Sequence, residues 1–335
     1  MKGCFVCEEG SSRLNYVYAG GRRERFMELL EICPPVIHAG NLEENRAFLK
    51  ECEVMLSTWG MVPFTGGELR AYFPNLKILF YAAGSVQGFA RPFLQNGIRV
   101  VSAWGAMCRP VAQFTVSCIV FANKGAFQAA RLYREEGFRA GKVLATEHFP
   151  GTYGTKIGIL GAGMIGSLVI EMLRGYPVEV LVYDPFLPEN RAKELGVRLC
   201  SLEEVFSECQ TISNHIANNE RTVGMLDYSL FSRMKDNAAF INTGRGAQVV
   251  EADLCRALRE KPERQAVLDV TWPEPVPADS PFWSLPNVTL FPHIAGYAAS
   301  EVLGMPDCML EEFTRWKNGE KLRYEVTLPM LETMA

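Results

Sequence analysis

The chain has 335 residues, enough for about two domains at roughly 100–200 residues each. Hydrophobic residues make up 48% and charged residues 21%, the balance of a folded globular chain rather than a disordered one. With 34 basic and 38 acidic residues the formal charge is −4, which argues against nucleic-acid or membrane-surface partners, since both need a basic excess.

Met1–Gly10 carries one Lys, a short apolar run at Cys4–Cys7 and then Glu8-Glu9, too little apolar length for a secretory leader. A cytoplasmic chain is expected, with its ten scattered cysteines reduced. Cys4 and Cys7 form a single CxxC with no second pair, so no metal site is expected. Arg22–Cys33 and Glu43–Glu51 show helical spacing of apolar residues. Val54–Leu56, Ile78–Ala82 and Ile98–Val101 are short apolar runs of strand type. Trp59 follows the first of these and Trp104 the last, and each suits either pocket lining or plain packing. His38 and His148 lack a motif and are expected in turns or at the surface. Val111–Ala122 is interrupted by Gln113, Thr115 and Ser117; it reads as a buried helix, short of the ~20 residues of a bilayer span.

The middle of the chain is more regular. Strand candidates Lys156–Leu160, Val178–Tyr183, Thr211–His215, Ala239–Asn242, Ala266–Val270 and Val288–Phe291 alternate with charged or amphipathic segments. Those segments include Ile165–Arg174, Glu189–Leu195, Leu202–Phe206 and Ala252–Glu260. This is the plan of a doubly wound parallel α/β sheet. Glu301–Lys317 reads as one long helix, bent at Pro306.

The sharpest motif is Gly161-Ala162-Gly163-Met164-Ile165-Gly166, between the first of these strands and its helix. Gly161 permits a tight turn, Gly163 leaves room for a pyrophosphate, and Gly166 lets helix and strand approach. The helix N-terminus, with Met164 and Ile165, then offers free amides to the phosphates. Asp184 ends the second strand about 20 residues on, where a carboxylate accepts bonds from ribose hydroxyls and repels a 2′-phosphate. NAD(H) is therefore the expected cofactor, in preference to NADP(H).

Three later strand ends carry Asn242-Thr243-Gly244-Arg245-Gly246, Leu268-Asp269-Val270 with Glu274-Pro275, and Pro292-His293-Ile294-Ala295-Gly296. Together they supply a planar cation for a carboxylate beside a carbonyl, an imidazole for proton transfer, and an acid to orient it.

With these motifs in this order, the chain resembles the D-isomer-specific 2-hydroxyacid dehydrogenase family over nearly its whole length. The resemblance implies a Rossmann-type cofactor domain, 105–296, inserted into a flavodoxin-like α/β substrate domain, 1–104 and 297–335. It implies that Arg245 binds the carboxylate and carbonyl and that His293 is the acid/base, paired with Glu274. The implied cofactor contacts also include His215, Ala217, Thr243, Arg245, Asp269, His293 and Gly296, and the amides of Gly84, Ser85 and Val86 are implied to grip the substrate carboxylate. The implied reaction interconverts a 2-keto acid and its D-2-hydroxy acid; an acid at 274, where formate dehydrogenases have Gln, points away from formate. Family members often dimerise through the cofactor domain, so a homodimer is implied. An NAD(H)-sensing, corepressor-like role on the same fold is the alternative. A phosphorylated substrate would need further cations, for which Arg91 and Arg109 are candidates. The chain departs from the family's His-x-Pro-Leu-Thr pattern at His215-Ile216-Ala217-Asn218-Asn219.

Overall fold

The computed structural model describes residues 1–296 and 298–332. The chain divides into two compact units, Met1–Met107 with Ala298–Ala335, and Cys108–Tyr297. The first boundary lies three residues later than the sequence suggested and the second one residue later.

The first unit is built on β1 (Lys2–Val6), β2 (Glu31–Ile32), β3 (Cys52–Ser57), β4 (Ile78–Tyr81) and β5 (Arg99–Ser102). They form a parallel sheet in the order β5-β4-β3-β1-β2, with the short strand Glu325–Val326 added antiparallel to β5. The winding reverses between β1 and β3, which is the flavodoxin-like arrangement. In β1, Cys4, Phe5 and Val6 are fully buried, as a central parallel strand requires. The C-terminal helix Gly304–Lys317 packs into the same core, where Phe313 meets Phe26 and Phe80 edge-on at 6.0 and 5.8 Å. Arg22 clamps its first turn through Asp307, at 2.8 and 2.7 Å.

The second unit begins with the helix Cys108–Asn123 and continues through β6 (Lys156–Leu160), β7 (Glu179–Tyr183), β8 (Arg198–Leu199) and β9 (Thr211–Asn214). It ends with β10 (Ala239–Asn242), β11 (Gln265–Leu268) and β12 (Val288–Leu290). All pair in parallel in the order β12-β11-β10-β9-β6-β7-β8, so the winding reverses between β6 and β9. This is the doubly wound sheet, whose ligands bind beyond the carboxyl ends of the strands at that reversal. One face carries the helices Cys108–Asn123 and Met164–Leu173; the other packs Phe206, Phe231 and Phe240 beneath Glu251–Glu260.

Several local expectations change. The helix expected over Arg22–Cys33 stops at Leu29, because Glu31–Ile32 pairs with β1 as an edge strand. Only Arg46–Leu49 of Glu43–Glu51 is helical. Pro306 falls in the first turn of Gly304–Lys317, where its missing N–H costs nothing, so it marks a start rather than a bend. By length and composition alone Ala103–Asn123 would suit a membrane span, but Ala112, Val116, Cys118, Ile119 and Ala122 are core residues of the second unit. His38 caps the turn Ala39–Asn41 by accepting from the Gly40 amide at 3.2 Å, and His148 is exposed.

Phe240 is fully buried against Phe231, at 5.1 Å, and Phe206, at 6.4 Å. Replacing it with Ala removes this aromatic packing and opens a cavity under β10. Phe240→Ala is expected to lower unfolding stability by about 3–5 kcal/mol, read by urea denaturation.

Candidate active site

The glycine-rich turn follows β6. Gly161 has φ +87°, and a Cβ there would lie 2.9 Å from His215 O, so the turn needs glycine on two counts. A Cβ at Gly166 would stand 2.0 Å from Gly161 O, which is the close helix–strand approach expected there. Gly163 is different: a Cβ would meet no protein atom within 4 Å. It opens onto free space, and no side chain caps the helix that follows, Met164–Leu173. That combination fits a dinucleotide's pyrophosphate, with uncapped amides facing an unobstructed gap. Met164 is exposed and Ile165 half-buried at this helix start.

Asp184 closes the cradle from β7. Its carboxylate accepts from the Ala162 amide at 2.8 Å and from the Phe186 amide at 2.8 Å. Each oxygen keeps a further lone pair for a ribose hydroxyl.

His215 follows β9, where its amide donates to Leu160 O at 2.7 Å and its Nε2 lies 2.9 Å from Ser213 Oγ. Burial pushes its pKa down to about 4, so the ring is neutral near pH 7. Its Nδ1 and the Oδ1 of Asn218 are buried with no hydrogen-bond partner, which leaves polar capacity on this segment for a bound ligand. Thr243 Oγ1 pairs instead with Thr115 Oγ1 at 2.8 Å inside the core.

The three chemistry-bearing loops lie at the ends of β10, β11 and β12. Asn242 shapes the first by donating to Arg245 O at 3.0 Å and accepting from Gly244 N at 3.1 Å. Arg245 is half-buried and Nη1 donates to Gly244 O at 2.8 Å; it makes no ion pair among the described residues. Gly246 is pressed against the second loop, since a Cβ there would fall 1.9 Å from the Thr271 carbonyl carbon. Asp269, 3% exposed, holds the third loop: its two oxygens accept from Ile294 N at 2.8 Å and Ala295 N at 3.0 Å. His293, just before this clamp, has φ +56°, a left-handed conformation that few non-glycine residues adopt. Its Nδ1 lies 2.7 Å from Glu274 Oε1. The carboxylate accepts from Nδ1–H, which fixes the orientation of the ring. Gly296 is buried just beyond the clamp.

The residues Gly84, Ser85 and Val86 follow β4 in the first unit. Ser102 Oγ donates to the carbonyls of Ala83, at 2.8 Å, and Gly84. The amides of Gly84, Ser85 and Val86 donate to nothing among the described residues; Gly84 and Ser85 reach the surface, whereas Val86 is wholly buried. Trp59, after β3, is half-buried, whereas Trp104 packs edge-on against Tyr324 at 5.5 Å.

Sequence reasoning paired His293 with Glu274 but missed the clamp by Asp269 and the buried amides of Asn214 and Gln248. Both of those amides sit beside motif residues, at positions where a polar side chain in an apolar run was the available signal.

Residues 116–295 match the family model described as D-isomer specific 2-hydroxyacid dehydrogenase, NAD binding domain. A glyoxylate reductase of Korarchaeum cryptofilum is 30% identical over 273 residues, 81% of this chain and 82% of that protein. A D-3-phosphoglycerate dehydrogenase of Archaeoglobus fulgidus is 30% identical over 77% of this chain and 48% of that protein, so the chain spans about half of that relative's length. Among solved structures, the apo D-mandelate dehydrogenase of Rhodotorula graminis matches with a TM-score of 0.82 at 19% identity over 97% of each chain. A phosphoglycerate oxidoreductase from Rhizobium etli matches with a TM-score of 0.78 at 24% identity over 96% of each chain. These two likenesses establish the shared fold. The sequence match covers the cradle, Asp184 and the three loops as far as Ala295, and the chain belongs to the D-isomer-specific 2-hydroxyacid dehydrogenase family, with NAD(H) as its cofactor.

Proposed function

We propose that this chain is an NAD-dependent oxidoreductase that interconverts a 2-keto acid and its D-2-hydroxy acid. The observation that carries this reading is the His293–Glu274 pair at 2.7 Å, on the loops after β12 and β11, the second of which neighbours the loop of Arg245 after β10. Bound NADH supplies the hydride to the keto carbon. His293 gives its Nε2 proton to the carbonyl oxygen in the same step, and takes it back in the reverse direction. Glu274 holds the ring in the orientation and tautomer that this needs. Arg245, which makes no ion pair among the described residues, binds the carboxylate and steadies the charge that grows on the carbonyl oxygen. Gly84, Ser85 and Val86 are assigned to the substrate carboxylate through their backbone amides. Gly161, Gly163, Met164, Ile165 and Gly166 cradle the pyrophosphate, Asp184 takes the ribose, and His215, Ala217, Thr243, Asp269 and Gly296 complete the cofactor contacts.

The charges favour a substrate with an apolar substituent over a phosphorylated one. At the carboxyl edge of the first unit's sheet, β1 runs into exposed Glu8 and Glu9, and β3 into Trp59 and the buried Met61. Arg13 there is paired with Glu8 at 3.6 Å, and Arg91 with Glu332 at 3.0 Å. At this edge a phosphate would meet acids and already paired cations, while Arg109, in the second unit, is exposed and makes no ion pair among the described residues; a branched or aromatic side chain would meet an indole and a thioether. A homodimer through the second unit is supported by Phe121, Tyr133 and Phe138, which are 52%, 58% and 65% exposed. Apolar rings of this size gain most when a second copy covers them.

NADH consumption with a panel from glyoxylate and pyruvate to 2-ketoisocaproate, phenylpyruvate and 3-phosphohydroxypyruvate tests both parts. The branched or aromatic acids are expected to give the highest kcat/KM, and His293→Ala to lower it by about 10²–10⁴-fold. NADH binding with no turnover on any member would overturn the reaction, and a preference for the phosphorylated acid would overturn the substrate class. Arg245→Ala is expected to cost about 10²–10³-fold in kcat while NADH binding stays within about twofold; lost NADH binding would refute its assignment to the substrate. Asp184→Ala is expected to raise the NADPH-to-NADH ratio of kcat/KM by about tenfold or more, since the carboxylate repels a 2′-phosphate. An unchanged ratio would remove Asp184 from the ribose.

A further inference from the structure

Asn214, Asn242 and Gln248 are 0%, 1% and 0% exposed, yet they carry amide side chains that are costly to bury unless fully bonded. Their bonds form one chain. Gln248 Nε2 donates to the carbonyls of Ile216, at 2.8 Å, and Ala217, at 3.0 Å. Gln248 Oε1 accepts from Asn214 Nδ2 at 2.6 Å, and the same amide nitrogen lies 3.1 Å from Asn242 Oδ1. Asn214 Oδ1 accepts from Ile216 N at 3.2 Å. Asn242 in turn holds the backbone of Gly244 and Arg245. One end of the network therefore grips the segment after β9, and the other grips the loop of the substrate cation.

We propose that Gln248, acting with Asn214, is a positioning residue that fixes residues 215–218 in the form that accepts NAD(H) and ties them to the Arg245 loop. Ala217 stands where the family pattern has Pro, so the backbone here lacks the ring that would stiffen it. Two hydrogen bonds from a rigidly buried amide supply that constraint instead. The Ala217 amide donates no hydrogen bond among the described residues, so nothing in the segment requires its N–H. The segment also carries the two unpartnered buried atoms, His215 Nδ1 and Asn218 Oδ1, whose placement matters only if something binds against them. The proposal rests on the reading of this segment as a cofactor contact.

Gln248→Met keeps the side-chain volume and removes both donors. In a fluorescence titration its Kd for NADH is expected to rise about tenfold, with kcat at saturating NADH within about twofold of the wild type. In the ligand-free protein, hydrogen exchange is expected to quicken over 215–219 and to stay unchanged in β6 and β10. Adding Ala217→Pro is expected to restore the Kd to within about threefold, because the ring replaces the lost restraint. A folded Gln248→Met with wild-type Kd and exchange overturns the proposal, as does exchange that quickens throughout the second unit. Should Gln248→Met fail to fold, the double variant decides: near wild-type NADH binding supports the proposal and lost binding overturns it. A wild-type chain that does not bind NADH would overturn the cofactor reading and the proposal together, whereas a failure confined to the variants overturns the proposal alone.

Discussion

A carboxylate buried at the end of β11 sets the geometry on which the site depends. Asp269 is 3% exposed and spends both oxygens on backbone amides of the neighbouring loop, those of Ile294 and Ala295. Charge-assisted bonds of this kind offset the cost of burying the acid, and two from consecutive amides fix a peptide's direction as well as its place. His293 is the residue immediately before that fixed peptide. Its left-handed backbone, φ +56°, costs of order 1 kcal/mol or more and persists because the clamp over-determines it. The imidazole is thus presented by a strained residue next to a rigid anchor, and Glu274 has only to meet Nδ1 at 2.7 Å.

The same logic extends to Arg245. Asn242 supports its loop from below and Gly246 lets it lie against Thr271, closer than any side chain would permit. The loop bearing the cation and the loop leading to Glu274 are therefore in van der Waals register at one glycine. A guanidinium on a loose loop would be drawn to whichever acid came within reach; here it stays unpaired because its backbone is held and no described carboxylate lies within ion-pair distance. An unpaired cation is what a substrate carboxylate needs, since a pre-formed ion pair would have to be broken first.

Much of this could be read in the residues. The cradle was legible because Gly161, Gly163 and Gly166 each answer a different backbone demand, and because strand, turn, helix and Asp184 follow in order. All six strands read in the second unit match their observed ranges within two residues at each end, for central parallel strands are continuous apolar runs. What escaped was set by tertiary pairing. Lys2–Val6 is the hub of the first sheet, but five residues at the start of a chain carry no period by which to recognise a strand. Glu31–Ile32 became strand only because β1 lies beside it, and Arg198–Leu199 only because of β7. The clamp of Asp269 on the His293 loop escaped as well, because nothing in Leu268-Asp269-Val270 says which amides it will meet.

The buried amides follow from the same constraint as the buried acid. Loops at the carboxyl ends of parallel strands have no ladder to hold them, and each must find partners for its own N–H and C=O groups. Asp269 does this for the loop after β12, Asn242 for the loop after β10, and Asn214 with Gln248 for the segment after β9. All four side chains are almost wholly buried, and every bond named runs to backbone or to another member of the set. Such a frame holds three mobile-by-default segments against one another through bonds that stay within the protein. It leaves Arg245 and the uncapped amides at the start of Met164–Leu173 with unspent bonding capacity, which is the condition for binding charged ligands at the mouth of the sheet.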